Sequence, residues 1–305
     1  MGTATMQLAK VGFASAQTGE AMSPGGSIAI ICGSGSFPGA VADAVARGGR
    51  RPVMFALKGW ADPHVVERHP HHWVAFGQVG RFLRLARSED CREVLFIGTV
   101  LRPPLKDIRL DWQSVRLLPR VLGLFRGGDN RLLSGIAKLV EEHGLRIVGI
   151  KDVAPDVIVP EGVLGRHQPS TRDRADIAHA LELLAAIGAF DIGQGAVVAN
   201  NYVLAVEAAE GTDHMLSRVA ELRGQGRITT PKGVGVLVKA PKPGQDRRLD
   251  LPALGPQTIR KAIEAGLAGV AVVAGETIVT DPAELIAAAD SAGIFVVGVT
   301  QDKVR

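Results

Sequence analysis

Ser27-Ile-Ala-Ile-Ile-Cys-Gly-Ser-Gly-Ser-Phe-Pro38 decides the fold. Ser27 to Cys32 is an apolar run without polar alternation, the pattern of a strand buried on both faces. The glycine loop that follows leads into a helical pattern through Ala40, Val41, Ala44 and Val45, and Gly48-Gly49 ends it. Pro52 to Leu57 supplies the next strand, completing a βαβ unit with a right-handed crossover. Working outward, Trp73 to Phe76 reads as a strand, Gln78 to Ser88 as a helix and Glu93 to Gly98 as a further buried strand. Such alternation predicts a parallel sheet with helices on both faces.

The glycine loop also has a functional reading. Gly33-x-Gly35 ahead of a helix offers N–H groups to an anion, as in dinucleotide-binding folds. The third glycine of that fingerprint is Pro38 here, and the second strand ends in Leu57-Lys58-Gly59, where an acid would meet a ribose. A nicotinamide-dependent oxidoreductase is therefore a weaker expectation than another phosphate or nucleotide ligand.

Farther along, Trp112 to Phe125 reads as a helix kinked at Pro119, with two apolar faces and Arg116 and Arg120 between them. It suits a buried helix, or a surface receiving greasy chains beside an anionic head group. Asp129 is placed to cap a helix from Arg131 to His143. Leu145 to Ile150 reads as the last strand of a first domain over residues 27–160. The proline-rich connection from Lys151 to Ser170 is expected to be the boundary and a hinge, leaving residues 161–305 as a second domain. There, a helix from Thr171 to Ala189 precedes a hairpin, Gly195 to Ala199 and Tyr202 to Val206, turning at Asn200-Asn201. Strands at Val234 to Val238, Val270 to Val273, Thr277 to Val279 and Ile294 to Val299, with helices at Pro256 to Ala265 and Pro282 to Ser291, make this half α/β as well.

The chain has 305 residues, 46% of them hydrophobic, enough for two cores. A net charge of +4 fits an anionic ligand, but the charges are interspersed and only 4% of residues are aromatic, which argues against nucleic acid. Cys32 and Cys91 lie far apart without a partner motif and are expected to be reduced core thiols. Residues 1–26 resemble neither a secretory signal nor a spanning helix, and are read as a disordered extension of a cytoplasmic protein.

The unusual chemistry is concentrated between Asp191 and Gly255. Asp191-Ile-Gly-Gln-Gly195, Glu207-Ala-Ala-Glu-Gly-Thr-Asp213 and Lys239-Ala-Pro-Lys-Pro-Gly-Gln-Asp-Arg-Arg-Leu-Asp250-Leu-Pro all stand at the ends of apolar runs. Carboxylates among lysines and glycines are the parts for holding a divalent cation and a phosphate ester.

These motifs, with Ile31-Cys-Gly-Ser-Gly-Ser-Phe-Pro38 and Gly128-Asp-Asn130, resemble the LpxI family from about Ser27 to the C-terminus. Thr99 and Asn130 depart from the family pattern, where Asn and Asp are expected. The resemblance implies an N-terminal Rossmann-like parallel-sheet domain and a C-terminal α/β domain with the substrate between them. It implies hydrolysis of the pyrophosphate of UDP-2,3-diacylglucosamine to UMP and 2,3-diacylglucosamine 1-phosphate (lipid X), with Mg²⁺, by a cytoplasmic protein peripheral on the inner membrane. It leaves a homodimer open. The implied catalytic residues are Asp250, Asp213 and Lys239, and the implied metal ligands Asp250 and Glu210. Substrate contacts are expected from Gly33, Gly35, Ser36, Gly98, Gly128, Asp129, Gln194, Thr212, Lys242 and Gln245; simple N-capping is the competing role for Thr212. A nicotinamide enzyme and a non-catalytic nucleotide-sugar binder are the alternatives.

Overall fold

The apolar runs of the N-terminal half become the interior of a parallel sheet, seen in a computed structural model that describes residues 26–100, 111 and 129–300. The extension before Gly26, the stretch from Trp112 to Phe125 and Gly128 lie outside the described residues. Strands β1 (Ser27–Cys32), β2 (Arg51–Leu57), β3 (His71–Val74), β4 (Cys91–Ile97) and β5 (Arg146–Ile147) are arranged β3-β2-β1-β4-β5. All four pairings are parallel. Chain order reverses at β1, because its neighbours β2 and β4 lie on opposite sides. Such a switch point opens a crevice beyond the strand ends in α/β sheets.

Side chains of β1 alternate between two cores. Ile28, Ile30 and Cys32 pack on one face with Met54, Leu95 and Val45, whereas Ala29 faces Val53, Phe55, Phe82 and Val94 on the other. Every β1 residue but the partly buried Ile31 is shielded from water, which explains the unbroken apolar run.

The second half builds a six-stranded sheet from β6 (Gly162–Val163), β7 (Gly195–Ala199), β8 (Tyr202–Val206), β9 (Val236–Lys239), β11 (Gly269–Val273) and β13 (Phe295–Val299), ordered β6-β13-β11-β9-β7-β8. Its middle is parallel, and antiparallel strands close both edges. The hairpin turns at Asn200 and Asn201 with φ of 53° and 60°, the left-handed pair that asparagine tolerates. Two short strands, β10 (Ala253–Leu254) and β12 (Ile278–Val279), pair in parallel as a separate ribbon.

One segment differs from the sequence reading. Leu145 to Ile150 is a strand only over Arg146–Ile147; the chain then enters a short helix, Ile150–Val153, because the Asp152 carboxylate accepts the Gly149 N–H at 2.9 Å and starts a turn there. The connection from Lys151 to Ser170, expected as the boundary, is packed against both cores. Val153, Ala154 and Val157 are buried in the first core and Val159 in the second, since apolar residues stand between the prolines.

A loop crosses from the second half to the first. Leu249 packs into the cluster on one face of the first sheet, and Leu251 into the cluster on the other. Asp250 is thereby held between two buried leucines. Ion pairs surround this junction: Glu276 binds both Lys151 at 2.6 Å and Arg247 at 2.8 Å, and Arg248 binds Glu141 at 3.0 Å.

Candidate active site

Four strand ends bring the central cluster together. β9 ends in Lys239, β7 begins after Gln194, β8 delivers Glu207, and the loop before β10 carries Gln245 and Asp250. The Asp250 carboxylate is half-buried, and its Oδ2 accepts the side-chain amides of Gln194, at 3.0 Å, and Gln245. Gln194 also donates to Gln245 Oε1 at 3.2 Å, and that oxygen accepts the Lys242 backbone N–H at 3.0 Å. Among the described residues Oδ1 of Asp250 accepts no hydrogen bond. Burial pushes the Asp250 carboxyl above the usual aspartate range, against the opposing pull of Gln194, Lys242, Gln245 and Lys239.

Lys239 is 7% exposed. Its ammonium donates to Thr212 Oγ1 at 2.9 Å and to the Ala253 carbonyl at 2.8 Å. Burial lowers its pKa, while the carboxylates of Glu207, Asp213 and Asp250 favour the charged form. Three acids are thus distributed around one buried cation. Lys242 is tied instead to Asp191, through its carboxylate and, at 3.4 Å, its carbonyl. Asp213 accepts the Thr258 hydroxyl at 3.4 Å.

Thr212 is not an N-cap. The helix runs over Gly211–Gly224 with Glu210 at the cap position, so Thr212 lies inside the first turn with its side chain buried. Gly211 has φ of 78°, a conformation glycine adopts readily, and that turn starts the helix earlier than the Thr-Asp pair suggested. Glu210 is exposed and pairs with Arg218 at 2.7 Å, apart from the Lys239 cluster.

The structure does not join the N-terminal glycine loop to this cluster by hydrogen bonds among the described residues. The Gly33 N–H donates to the Ile97 carbonyl at 3.0 Å, and Ser34 and Thr99 exchange backbone bonds of 2.9 and 3.2 Å. Loops after β1 and β4 are therefore zipped together across the switch point. A Cβ on Gly33 would lie 2.5 Å from the Thr99 carbonyl oxygen, and one on Gly98 2.8 Å from that of Ser34, so both glycines serve this close approach. Gly35 and Ser36 remain exposed at the start of the helix Phe37–Arg47. Asp129 begins the helix Asp129–Glu142.

An open cavity of about 380 Å³ adjoins Gln245, lined by Gly149, Lys151, Asp152, Asp246, Arg247 and Arg248. It lies where the two halves meet.

Two family models cover nearly all of this architecture: the LpxI N-terminal domain matches residues 27–157 and the LpxI C-terminal domain residues 160–297. The chain belongs to the LpxI family. A curated LpxI relative from Caulobacter vibrioides, named UDP-2,3-diacylglucosamine pyrophosphatase, is 41% identical over 272 residues, spanning 89% of this chain and 97% of the relative. Within the LpxI fold seen here, the sequence reading missed Glu207. It stood in one of the quoted motifs, but nothing in its spacing distinguished it from Glu210. The usable signal was the pair Gly193 and Gly195, which leave room for its backbone and side chain.

Proposed function

We propose that this protein hydrolyses the pyrophosphate bond of UDP-2,3-diacylglucosamine, releasing UMP and 2,3-diacylglucosamine 1-phosphate. The reading rests on family membership. The observation that carries it at the site is Asp250, with one carboxylate oxygen fixed by two amides and the other accepting no hydrogen bond among the described residues, beside the buried Lys239 ammonium. A diphosphate repels an oxygen nucleophile, and a reaction at phosphorus needs that charge offset. Lys239, with Lys242 on the facing loop, supplies positive charge for the phosphate oxygens. Asp250 Oδ1 orients the attacking water on the sugar side, so that UMP departs.

Mg²⁺ belongs to this proposal. Among the described residues no group of three or more His, Cys, Asp or Glu side chains forms a ready-made metal cage. Magnesium commonly binds through one or two carboxylates plus substrate phosphates and water, and the unbonded Oδ1 of Asp250 suits that mode. Glu210, engaged with Arg218, suits it less. When bound, the ion would neutralise the diphosphate and stabilise the departing oxygen.

The acylated sugar implies a cytoplasmic protein working peripherally at the inner-membrane surface. Among the described residues no helix is long and apolar enough to cross a membrane.

The test is turnover of UDP-2,3-diacylglucosamine, followed by UMP release with and without Mg²⁺. Asp250→Ala and Asp250→Asn should stay folded and bind substrate while losing about a hundredfold to a thousandfold in kcat. Near wild-type turnover in either variant would assign Asp250 a structural role and end this reading of the site.

A further inference from the structure

Glu207 continues the β8 strand: its N–H donates to the Gly195 carbonyl at 2.8 Å, and its side chain folds back over that glycine. A Cβ on Gly195 would lie 2.7 Å from Glu207 Oε2, so the glycine makes the space that the carboxylate fills. Oε1 accepts the Thr212 hydroxyl at 3.1 Å. Oε2 is buried and has no hydrogen-bond partner among the described residues.

The direction of the hydrogen bonds follows from chemistry. An ammonium has no acceptor, so Thr212 Oγ1 must receive the Lys239 N–H. The single hydroxyl proton of Thr212 is then free to go only to the other neighbour, the Glu207 carboxylate. Glu207, Thr212 and Lys239 form a relay of fixed sense. With the Ala253 carbonyl taking a second ammonium proton, Lys239 keeps one N–H that neither of these partners accepts.

We propose that Glu207 is a positioning residue: by taking the Thr212 hydroxyl proton, it holds the Lys239 ammonium in one orientation and leaves the third N–H for the substrate's diphosphate. The proposal rests on the hydrolytic reading above. Without Glu207 the hydroxyl can turn its proton toward other acceptors, and the lysine, with its flexible four-carbon stem, loses a fixed partner. A different role is open to a buried acid beside a buried lysine, that of counter-charge alone. The two roles diverge on replacement by glutamine, whose amide oxygen still accepts the Thr212 proton but carries no charge.

The experiment compares Glu207→Gln, Glu207→Ala and Thr212→Val in the full-length protein. Glu207→Ala should lower kcat roughly thirtyfold with KM within about threefold, while Glu207→Gln stays within about fivefold of wild type. Adding Glu207→Ala to Thr212→Val should produce no further loss, since both cut the same relay. The ¹⁵N-resolved NMR signal of the Lys239 ammonium, assigned with Lys239→Met, should be present in wild type and in Glu207→Gln and broadened away in Glu207→Ala. Equal loss in Gln and Ala variants, additive loss in the double variant, or an unchanged ammonium signal in Glu207→Ala would overturn the proposal. If wild type fails to turn over the substrate, the hydrolytic reading fails; the NMR comparison still decides whether the relay exists.

Discussion

Asp250 shows how a functional demand and folding can oppose each other at one residue. Its carboxyl is held above the ordinary aspartate range by burial, which favours the neutral form in the folded chain. The stabilising contribution of such a group is present at pH values below its unfolded pKa, about 3.9, and is lost as pH rises through the raised folded value. At neutral pH the ionised acid therefore weighs against folding, and only the Gln194 and Gln245 amides and the two lysines offset this. Asp250→Asn retains an oxygen that accepts from both glutamines without carrying charge. In Mg²⁺-free buffer at pH 7 it should melt at the wild-type temperature or above, even though turnover is lost. A clearly lower Tm would show that Asp250's ionised form stabilises the fold.

The elements that hold the site were legible in the sequence to different degrees. Apolar runs gave the interior strands, because a strand buried on both faces has no polar positions, and Asn200-Asn201 announced the hairpin. The partnership of Gln194 with Gln245 and Asp250 was not legible, since it joins residues more than fifty positions apart through tertiary folding. Lys239 was expected as a catalytic residue beyond the Val234 to Val238 run, but nothing in the motif showed that the strand carries it into the interior, where Thr212 and Ala253 satisfy it. Nor did the motif around Asp250 reveal that its flanking leucines enter opposite faces of the other sheet. Leu251 is 6% exposed, so Leu251→Ala should cost about 2–4 kcal/mol by chemical denaturation, from lost burial and an incompletely filled cavity. The same variant should lower kcat, because the loop that aims Asp250 loses one of its two attachments. Wild-type stability would show that the loop is held by its ion pairs instead.

Across the whole molecule, both thiols lie within the first sheet's cores: Cys32 is 0% exposed and Cys91 4%. Burial pushes Cys32 up to about 12 and Cys91 to about 11, from an ordinary value of 9.0. Their contribution to stability is full below pH 9 and lost progressively as pH rises toward the folded values, because the unfolded chain ionises first. At pH 8, labelling of both by iodoacetamide should proceed only as fast as the protein unfolds; rapid labelling of native protein would contradict the packing seen here. The leucine pair around Asp250 has a further meaning at this scale. The acid belongs by sequence to the segment matched by the C-terminal family model, yet its position is set by hydrophobic cores formed in the N-terminal one. Cutting the chain between the two would leave every polar group of the cluster on one fragment and the surfaces that aim Asp250 on the other. Modularity in the sequence is therefore not autonomy: the C-terminal fragment would inherit the chemistry's parts list, and mixing it with its counterpart would be required to restore the acid's place.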